Sequence, residues 1–150
     1  MYKRILVPYD GSLPSMRGLE EAIDLATDQK AGLRIVHVVD ESILAFDTTG
    51  TLSWDDFLPL LIEGGEALLE NARALASRRG AEAQAILVKS GAESVAQAIL
   101  KQCRDWPADL IVMGTHGRSG LRRLALGSDA EAVVHSAPVP VLLVRSSEPR

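Results

Sequence analysis

The alternation of short apolar runs with amphipathic segments is the feature that most constrains how this chain can fold. Four runs rich in β-branched residues predict β-strands: Arg4–Tyr9, Leu33–Val39, Asp109–Met113 and Val139–Val144. A fifth run, Ala83–Val88, gives a weaker strand signal. Each is nearly continuous in apolar character, which is typical of strands that are covered on both faces. A parallel sheet between two layers of helices buries its strands in this way.

Between these runs, apolar residues recur every three or four positions, as they do on one face of an amphipathic helix. Stop signals for three of the predicted helices are Gly32, Gly80 and Pro107. The β-α alternation implies parallel strands joined by right-handed crossovers. The predicted fold class is therefore α/β, a three-layer α/β/α, Rossmann-like domain whose open five-stranded parallel sheet has the strand order 3-2-1-4-5.

Length and charge exclude several function classes. The chain has 150 residues, of which 16 are basic and 20 acidic, and a formal net charge of -4. We therefore expect one domain over residues 1–150 and no surface for nucleic acid. No apolar run approaches the roughly 20 residues that span a bilayer, so no membrane partner is expected. The start MYKRILVPYD has no signal-peptide core. The single cysteine, Cys103, has no internal partner for a disulfide. Both observations predict a cytoplasmic protein.

The segment Glu41–Gly65 departs from the regular alternation. It contains a Thr-Thr-Gly-Thr stretch, a proline and paired glycines, which predict a loop followed by a broken or late-starting helix. Ser53 or Asp56 is a candidate cap for that helix. Two interpretations remain open: a variable surface excursion, or a lid in which Trp54 and Phe57 cover a ligand.

Two loops are expected to form the ligand site. In an open doubly wound sheet, ligands bind beyond the carboxyl ends of the strands, at the point where the strand order reverses. The loops that leave the first and fourth strands meet there, and they begin at Asp10 and at Gly114. The second loop is rich in glycine and arginine, and these residues are Gly114, Gly117, Gly120, Gly127, Arg118, Arg122 and Arg123.

A helix is predicted to start at the end of the second loop. Ser128 and Glu131 fit the S-x-x-E pattern of a capping box. A glycine-rich turn before a helix N-terminus presents free N–H groups and the positive end of the helix dipole, which favours a phosphate. Alternatively, the loop only turns the chain and the cap satisfies the helix end. Neither a G-x-x-x-x-G-K-[ST] motif nor a G-x-G-x-x-G motif after the first strand is present.

Several motifs resemble those of a known family, the universal stress proteins. Val7-Pro8-Tyr9-Asp10-Gly11-Ser12 is similar to the family's opening motif, Val36–Asp40 to its second-strand signature, and Pro138–Val144 to its closing strand. The most specific match is Gly114-x2-Gly117-x9-Gly127-Ser128, which resembles the G-2x-G-9x-G-[ST] pattern of the family's ATP-binding branch. The similarity runs along the whole chain and is weakest across Glu41–Gly65. It also implies a fold like that of the adenine nucleotide alpha hydrolases.

The resemblance implies ATP as the ligand, with Mg²⁺ or Mn²⁺ as a companion. Adenine would lie against the backbone of Val38 and the side of Pro8, and Asp10 would hold the ribose hydroxyls or a phosphate-bound metal. Asp129 is among the residues implied to bind the nucleotide, at the start of the helix. An alternative role for its carboxylate, compensation of the helix dipole, requires no ligand. The nucleotide-binding residues implied in this way are Pro8, Tyr9, Asp10, Val38, Met113, Gly114, Thr115, His116, Gly117, Arg118, Ser119, Gly120, Gly127, Ser128, Asp129 and Ala130.

No catalytic residues are predicted. Asp10 and His116 are the only candidates near the crevice for a base in ATP hydrolysis, and no Ser-His-Asp constellation can be assembled. The sequence therefore favours an ATP-binding regulatory module of the stress response with little or no hydrolysis. The alternatives are a weak ATPase or nucleotide alpha hydrolase-type enzyme, and a member of the fold that binds no nucleotide. The enzyme would require an S-G-G-x-D-S loop, where this chain has Asp10-Gly11-Ser12-Leu13-Pro14-Ser15.

The apolar character of the last predicted strand, Val139–Val144, also indicates an oligomer. This strand lies at an edge of the predicted sheet, where Pro140 is tolerated, and an exposed apolar edge favours pairing with another chain. The family resemblance likewise implies a homodimer through antiparallel pairing of these strands. The expected interface residues are Val139, Val141, Leu142, Leu143 and Val144.

Overall fold

The computed structural model describes residues 1–46, 53–115 and 126–146. Its strands are β1 (Arg4–Pro8), β2 (Gly32–Val39), β3 (Ala83–Lys89), β4 (Leu110–Thr115) and β5 (Val141–Arg145). Its α-helices are α1 (Leu13–Gln29), α2 (Trp54–Arg78), α3 (Val95–Asp105) and α4 (Ser128–Ser136), and a short 3₁₀ helix covers Glu41–Phe46. Among the described helices, none is both long and apolar enough to cross a membrane.

The predicted fold class is confirmed. The five strands form one parallel sheet in the order β3-β2-β1-β4-β5. Leu19 and Ile23 of α1 and Leu69 of α2 belong to a core on one face of the sheet. Ile99 of α3 and Val133 of α4 belong to a separate core on the other face. The sheet is therefore the middle layer of three, and its order reverses beside β1, as expected.

Close packing of two glycines holds α1 against β4. A Cβ atom added to Gly18 on α1 would lie 2.7 Å from the backbone nitrogen of Gly114 on β4. A Cβ atom added to Gly114 would overlap the carbonyl oxygen of Pro14 in the first turn of α1. Both positions thus require glycine, and their contact brings the first turns of α1 next to the end of β4.

Several element ends differ from the prediction. Gly32 is not a helix stop but the first residue of β2, because α1 already ends at Gln29. Lys30 takes the left-handed conformation that ends the helix, with φ 54°, and its N–H donates to the carbonyl of Ala26. The signals at Gly80 and Pro107 are confirmed, since each follows the C-cap residue of a helix, Arg79 of α2 and Trp106 of α3.

Two strands, β5 and β4, begin later than their predicted apolar runs. β5 begins at Val141, so Val139 and Pro140 precede it, although the carbonyl of Pro140 accepts the N–H of Ile111 at 3.0 Å. At the amino end of the sheet, the carboxylate of Asp109 precedes β4 and accepts the N–H groups of Lys3 and Arg4 at 2.8 and 2.9 Å. This tie fixes the start of β1 against the start of β4.

In the segment Glu41–Gly65 a helix begins at Trp54, directly after the predicted cap candidate Ser53, and the alternative of a broken helix is wrong. α2 runs without interruption from Trp54 and contains Pro59. Proline removes one i→i−4 hydrogen bond and disfavours a helix interior, but two acidic residues in the first turn and burial of the later turns stabilise this helix. Ser53 occupies the N-cap position without a side-chain cap bond, and Asp56 lies inside the helix.

Candidate functional site

A cavity of about 290 Å³ opens at the carboxyl ends of β1 and β4. It lies beside β1, where the strand order reverses and where the sequence predicts the ligand site. Its volume is close to the lower end of the range of about 300–1,000 Å³ for small-molecule sites. The predicted nucleotide-binding residues that line it are Pro8, Tyr9, Asp10, Val38, Met113, Gly114, Gly127, Ser128, Asp129 and Ala130.

Of the remaining predicted residues, the structure describes only Thr115, which is not among the lining residues. Thr115 is buried at the end of β4, where it completes the strand. The others lie outside the described residues: His116, Gly117, Arg118, Ser119, Gly120, Arg122 and Arg123.

Six lining residues were not predicted: Ser12, Pro14, Ser15, Val36, Val95 and Ile99. Val95 and Ile99 stand four residues apart on α3, which is the ordinary spacing of a helix face that packs on the core. Their position in the first turns of a helix that follows a strand could have indicated a second role, because such turns lie at the ligand-binding edge of a parallel sheet.

Hydrogen bonds of the β1–α1 loop fix the carboxylate of Asp10 at the cavity. Its Oδ1 accepts the N–H of Ser12 at 2.9 Å, and its own N–H donates to Oγ of Ser15 at 3.3 Å. Oγ of Ser15 also donates to the carbonyl of Ser12 at 3.0 Å. Desolvation opposes ionisation of Asp10, but the hydrogen bonds from Ser12 and Ser15 outweigh it and lower the pKa of this carboxyl group. Asp10 is therefore a stable anion at neutral pH.

The backbone beside Asp10 is also held in place. Gly11 has φ +82°, in the region that favours glycine, and a Cβ atom there would lie 2.7 Å from Cδ2 of Leu68. Nδ1 of His37 lies 2.9 Å from the carbonyl oxygen of Tyr9. Because a carbonyl only accepts, Nδ1 carries the hydrogen. His37 thus ties β2 to the residue before Asp10.

The opposite wall of the cavity is the N-terminus of α4, and the predicted capping box there is wrong. The N-cap residue is Gly127, whose carbonyl accepts the N–H of Glu131 at 2.9 Å. Ser128 is instead the first helical residue, so its hydroxyl does not hold the N-cap position. A capping box occurs at α3, where Ser94 and Gln97 exchange side-chain to backbone hydrogen bonds. The first-turn amides of α4 therefore face the cavity without the predicted cap.

Negative charge gathers at this end of the cavity. Burial raises the pKa of Asp129 in the first turn of α4, and the charges of Asp40 and Asp10 raise it further. Asp40 follows β2, where Oδ1 accepts hydrogen bonds from the N–H and the hydroxyl of Ser42. Among the described residues that line the cavity there is no lysine or arginine.

The inner part of the cavity is apolar. Its walls come from β2, from the end of β4 and from the first turns of α3: Val36, Val38, Met113, Val95 and Ile99. The cavity can therefore hold a flat apolar group in its depth and a polar group near Asp10 and the start of α4. In the described parts of the chain, no group of three or more His, Cys, Asp or Glu side chains could hold a metal ion by itself.

Comparison with known proteins gives consistent results over nearly the whole chain. The model of the universal stress protein family matches residues 1–145. A curated universal stress protein of Methanocaldococcus jannaschii is 35% identical over 146 residues, which cover 97% of this chain and 83% of that protein.

Solved structures show the same similarity. A crystal structure of a universal stress protein family member from Burkholderia pseudomallei superposes with a TM-score of 0.80 and 35% identity, covering 97% of each chain. A universal stress protein crystallised in complex with cAMP superposes with a TM-score of 0.69 and 25% identity, covering 97% of this chain and 98% of that one.

Proposed function

The chain belongs to the universal stress protein family, and from that premise we propose that it binds ATP in the cavity at the ends of β1 and β4. It would act as a dimeric regulatory module of the stress response in the cytoplasm. Nucleotide binding is in keeping with the similar universal stress protein that was crystallised with cAMP. The resemblance of Gly114-x2-Gly117-x9-Gly127-Ser128 to the pattern of the ATP-binding branch supports ATP in particular.

The observation that carries the proposal is the division of one cavity into an apolar and a polar part. Val38, Val95 and Ile99 offer apolar walls to a planar base. Asp10 lines the same cavity with a carboxylate, and carboxylates accept hydrogen bonds from hydroxyl groups such as those of a ribose. The first-turn amides of α4, at Ser128 and Ala130, offer donors to a phosphate.

The same geometry fits a divalent cation that is bound together with the nucleotide. Asp10 supplies an ionised carboxylate oxygen, which is the ligand type that Mg²⁺ prefers. Mg²⁺ usually takes only one or two protein carboxylates and completes its shell with phosphate oxygens and water. When bound, the cation would neutralise phosphate charge. We propose Asp10 as its protein ligand.

We propose little or no hydrolysis. The hydrogen bonds that lower the pKa of Asp10, among them the one from the N–H of Ser12 to Oδ1, stabilise its ionised form and make it a weak base. Because a general base is most effective when its pKa lies near the working pH, this carboxylate is poorly suited to activate water.

The proposed dimer uses the free edge of the sheet. β5 pairs with β4 on one side only, because it is the last strand in the sheet order. The side chain of Leu142 is 37% exposed on this strand. Antiparallel pairing of two β5 strands would satisfy both edges and cover Val139, Val141, Leu142, Leu143 and Val144.

Titration calorimetry with ATP and with CTP tests the binding proposal directly. We expect saturable binding of ATP near one molecule per chain, and weaker binding of CTP because the smaller base fills less of the apolar part. Absence of ATP binding, with or without Mg²⁺, contradicts the proposal. Rapid multiple turnover in a phosphate-release assay contradicts the assignment as a binding module and favours an enzyme.

A further inference from the structure

Asp129 lies at the helix start where an anionic part of a ligand would bind. It is the second residue of α4, between Ser128 and Ala130, and all three residues line the cavity. The first backbone N–H groups of a helix have no intrahelical partner, so they are available to a ligand at this place. A group that accepts their hydrogen bonds comes close to the carboxylate of Asp129.

The charges around Asp129 differ from those of an ordinary helix start. A carboxylate in the first turn of a helix is normally stabilised by the helix dipole. Here burial and the negative charges of Asp40 and Asp10 act in the opposite direction, and together they raise the pKa of Asp129. The three carboxylates come from separate segments, after β1, after β2 and at the start of α4, and among the described residues that line the cavity no lysine or arginine offsets the charges of Asp10 and Asp129.

We infer that Asp129 is a specificity-determining residue whose carboxylate disfavours ligands in proportion to the negative charge they place against α4. The inference rests on the proposed nucleotide site and adds a rule for selection among its ligands. A nucleoside carries no charge to this wall, a monophosphate carries some and a triphosphate carries more. A free triphosphate therefore loses more affinity to Asp129 than a nucleoside does, and a divalent cation on the phosphates reduces that loss.

This role differs from simple stabilisation of the helix. A carboxylate that only compensates the dipole of α4 would affect the free energy of unfolding and would leave the ranking of ligands unchanged. A carboxylate that repels phosphate changes the ranking, because like charges at close range in a partly desolvated site are costly. The two roles are separated by a comparison of ligands that share the base and differ in charge.

The experiment compares the wild-type chain with Asp129→Asn, which keeps the size of the side chain and removes its charge. Asp105→Asn is the matched control, because Asp105 is exposed at the far end of α3, whose first turns line the cavity. Dissociation constants of adenosine, AMP and ATP are measured by calorimetry in EDTA and again with excess Mg²⁺. Urea unfolding of each variant checks that the fold is retained.

In EDTA we expect Asp129→Asn to tighten ATP binding by about tenfold or more, to tighten AMP binding by less, and to leave adenosine unchanged. With Mg²⁺ the gain for ATP should shrink, and Asp105→Asn should change none of the constants. Equal effects on adenosine and ATP, no effect, or weaker ATP binding each overturn the inference while the nucleotide site stands. If neither protein binds any of the three ligands, the proposed function fails and the inference fails with it.

Discussion

Gly18 and Gly114 are in such close contact that a Cβ atom on Gly18 would lie 2.7 Å from the backbone nitrogen of Gly114. The contact joins the first half of α1 to the end of β4, and both elements lead into the cavity. The site therefore depends on a packing distance that only glycine permits.

Replacement of Gly18 by alanine should destabilise the fold. The added methyl group meets backbone rather than a movable side chain, so we expect a loss of about 1–3 kcal/mol in the free energy of unfolding, measured in urea. Gly64→Ala is the matched control, because Gly64 is also in a helix but has nothing within 4 Å of an added Cβ atom. That variant should gain about 0.5–1 kcal/mol, since alanine favours helix over glycine. Equal effects of the two substitutions contradict the packing argument.

A bulky side chain at Val95 should block the apolar part of the cavity. Val95→Trp fills space beside Val38 and Ile99, so we expect ATP binding to weaken by at least about tenfold in calorimetry. Val134→Trp is the control, because Val134 is 43% exposed on α4 and does not line the cavity. Unchanged affinity in Val95→Trp would show that the base binds elsewhere.

Asp109 should make stability depend on pH. Desolvation opposes its ionisation, but the N–H groups of Arg4 and Lys3 outweigh this and lower its pKa in the folded state. A carboxyl group whose pKa is lower when folded stabilises the fold above its unfolded pKa of about 3.9, and the stabilisation is lost as the pH falls through the folded pKa.

The test is urea unfolding of Asp109→Asn from neutral to acidic pH. The variant should be less stable than the wild type at neutral pH, and the difference should shrink in acid. Asp105→Asn, which removes an exposed carboxylate with no such tie, should follow the wild type. A difference for Asp109→Asn that does not vary with pH means that the lost stability comes from packing and not from charge.

A charge on the edge strand should separate the proposed dimer. Leu142→Lys puts an ammonium group on β5, and inward or edge lysines oppose strand pairing. Sedimentation should then give the monomer mass, while the control Leu60→Lys, at a side chain that is 63% exposed on α2, should leave the dimer intact. If the wild type itself sediments as a monomer at micromolar concentration, the dimer proposal is wrong.

The fold could be predicted well because its strongest signal is repeated along the chain. Each buried strand of this sheet is a near-continuous apolar run, and parallel pairing leaves few alternatives for the order of elements. The start of α2 was indicated by Ser53, but Pro59 and the paired glycines suggested a break that does not occur, because burial of Leu69 and Ala72 supports a continuous helix. Local propensity was overridden by tertiary packing.

The site was predicted in its loops and missed on its apolar wall. Asp10 and Gly114 follow buried strands, and parallel strands bring such ends together, so topology alone locates them. Val95 and Ile99 show the spacing of any core helix. This spacing is the same whether the side chains pack against other residues of the protein or contact a ligand. The residues that cap the helices were the least predictable part. Lys30 ends α1 in a left-handed conformation that glycine usually adopts. Gly127 is the N-cap of α4, although the S-x-x-E pattern had favoured Ser128 for that position.

The tie between Asp109 and the N–H groups of Lys3 and Arg4 has a practical consequence for work with this protein. It holds the amino end of β1 beside the start of β4, at the end of the strands opposite the cavity. Met1 next to it is 98% exposed. A dye, a tag or a surface linker attached at Met1 is therefore kept away from the cavity, which lies at the carboxyl ends of β1 and β4. Immobilised protein should bind its ligand as the free protein does, so the amino-terminal end is the suitable anchor for binding measurements on a sensor surface.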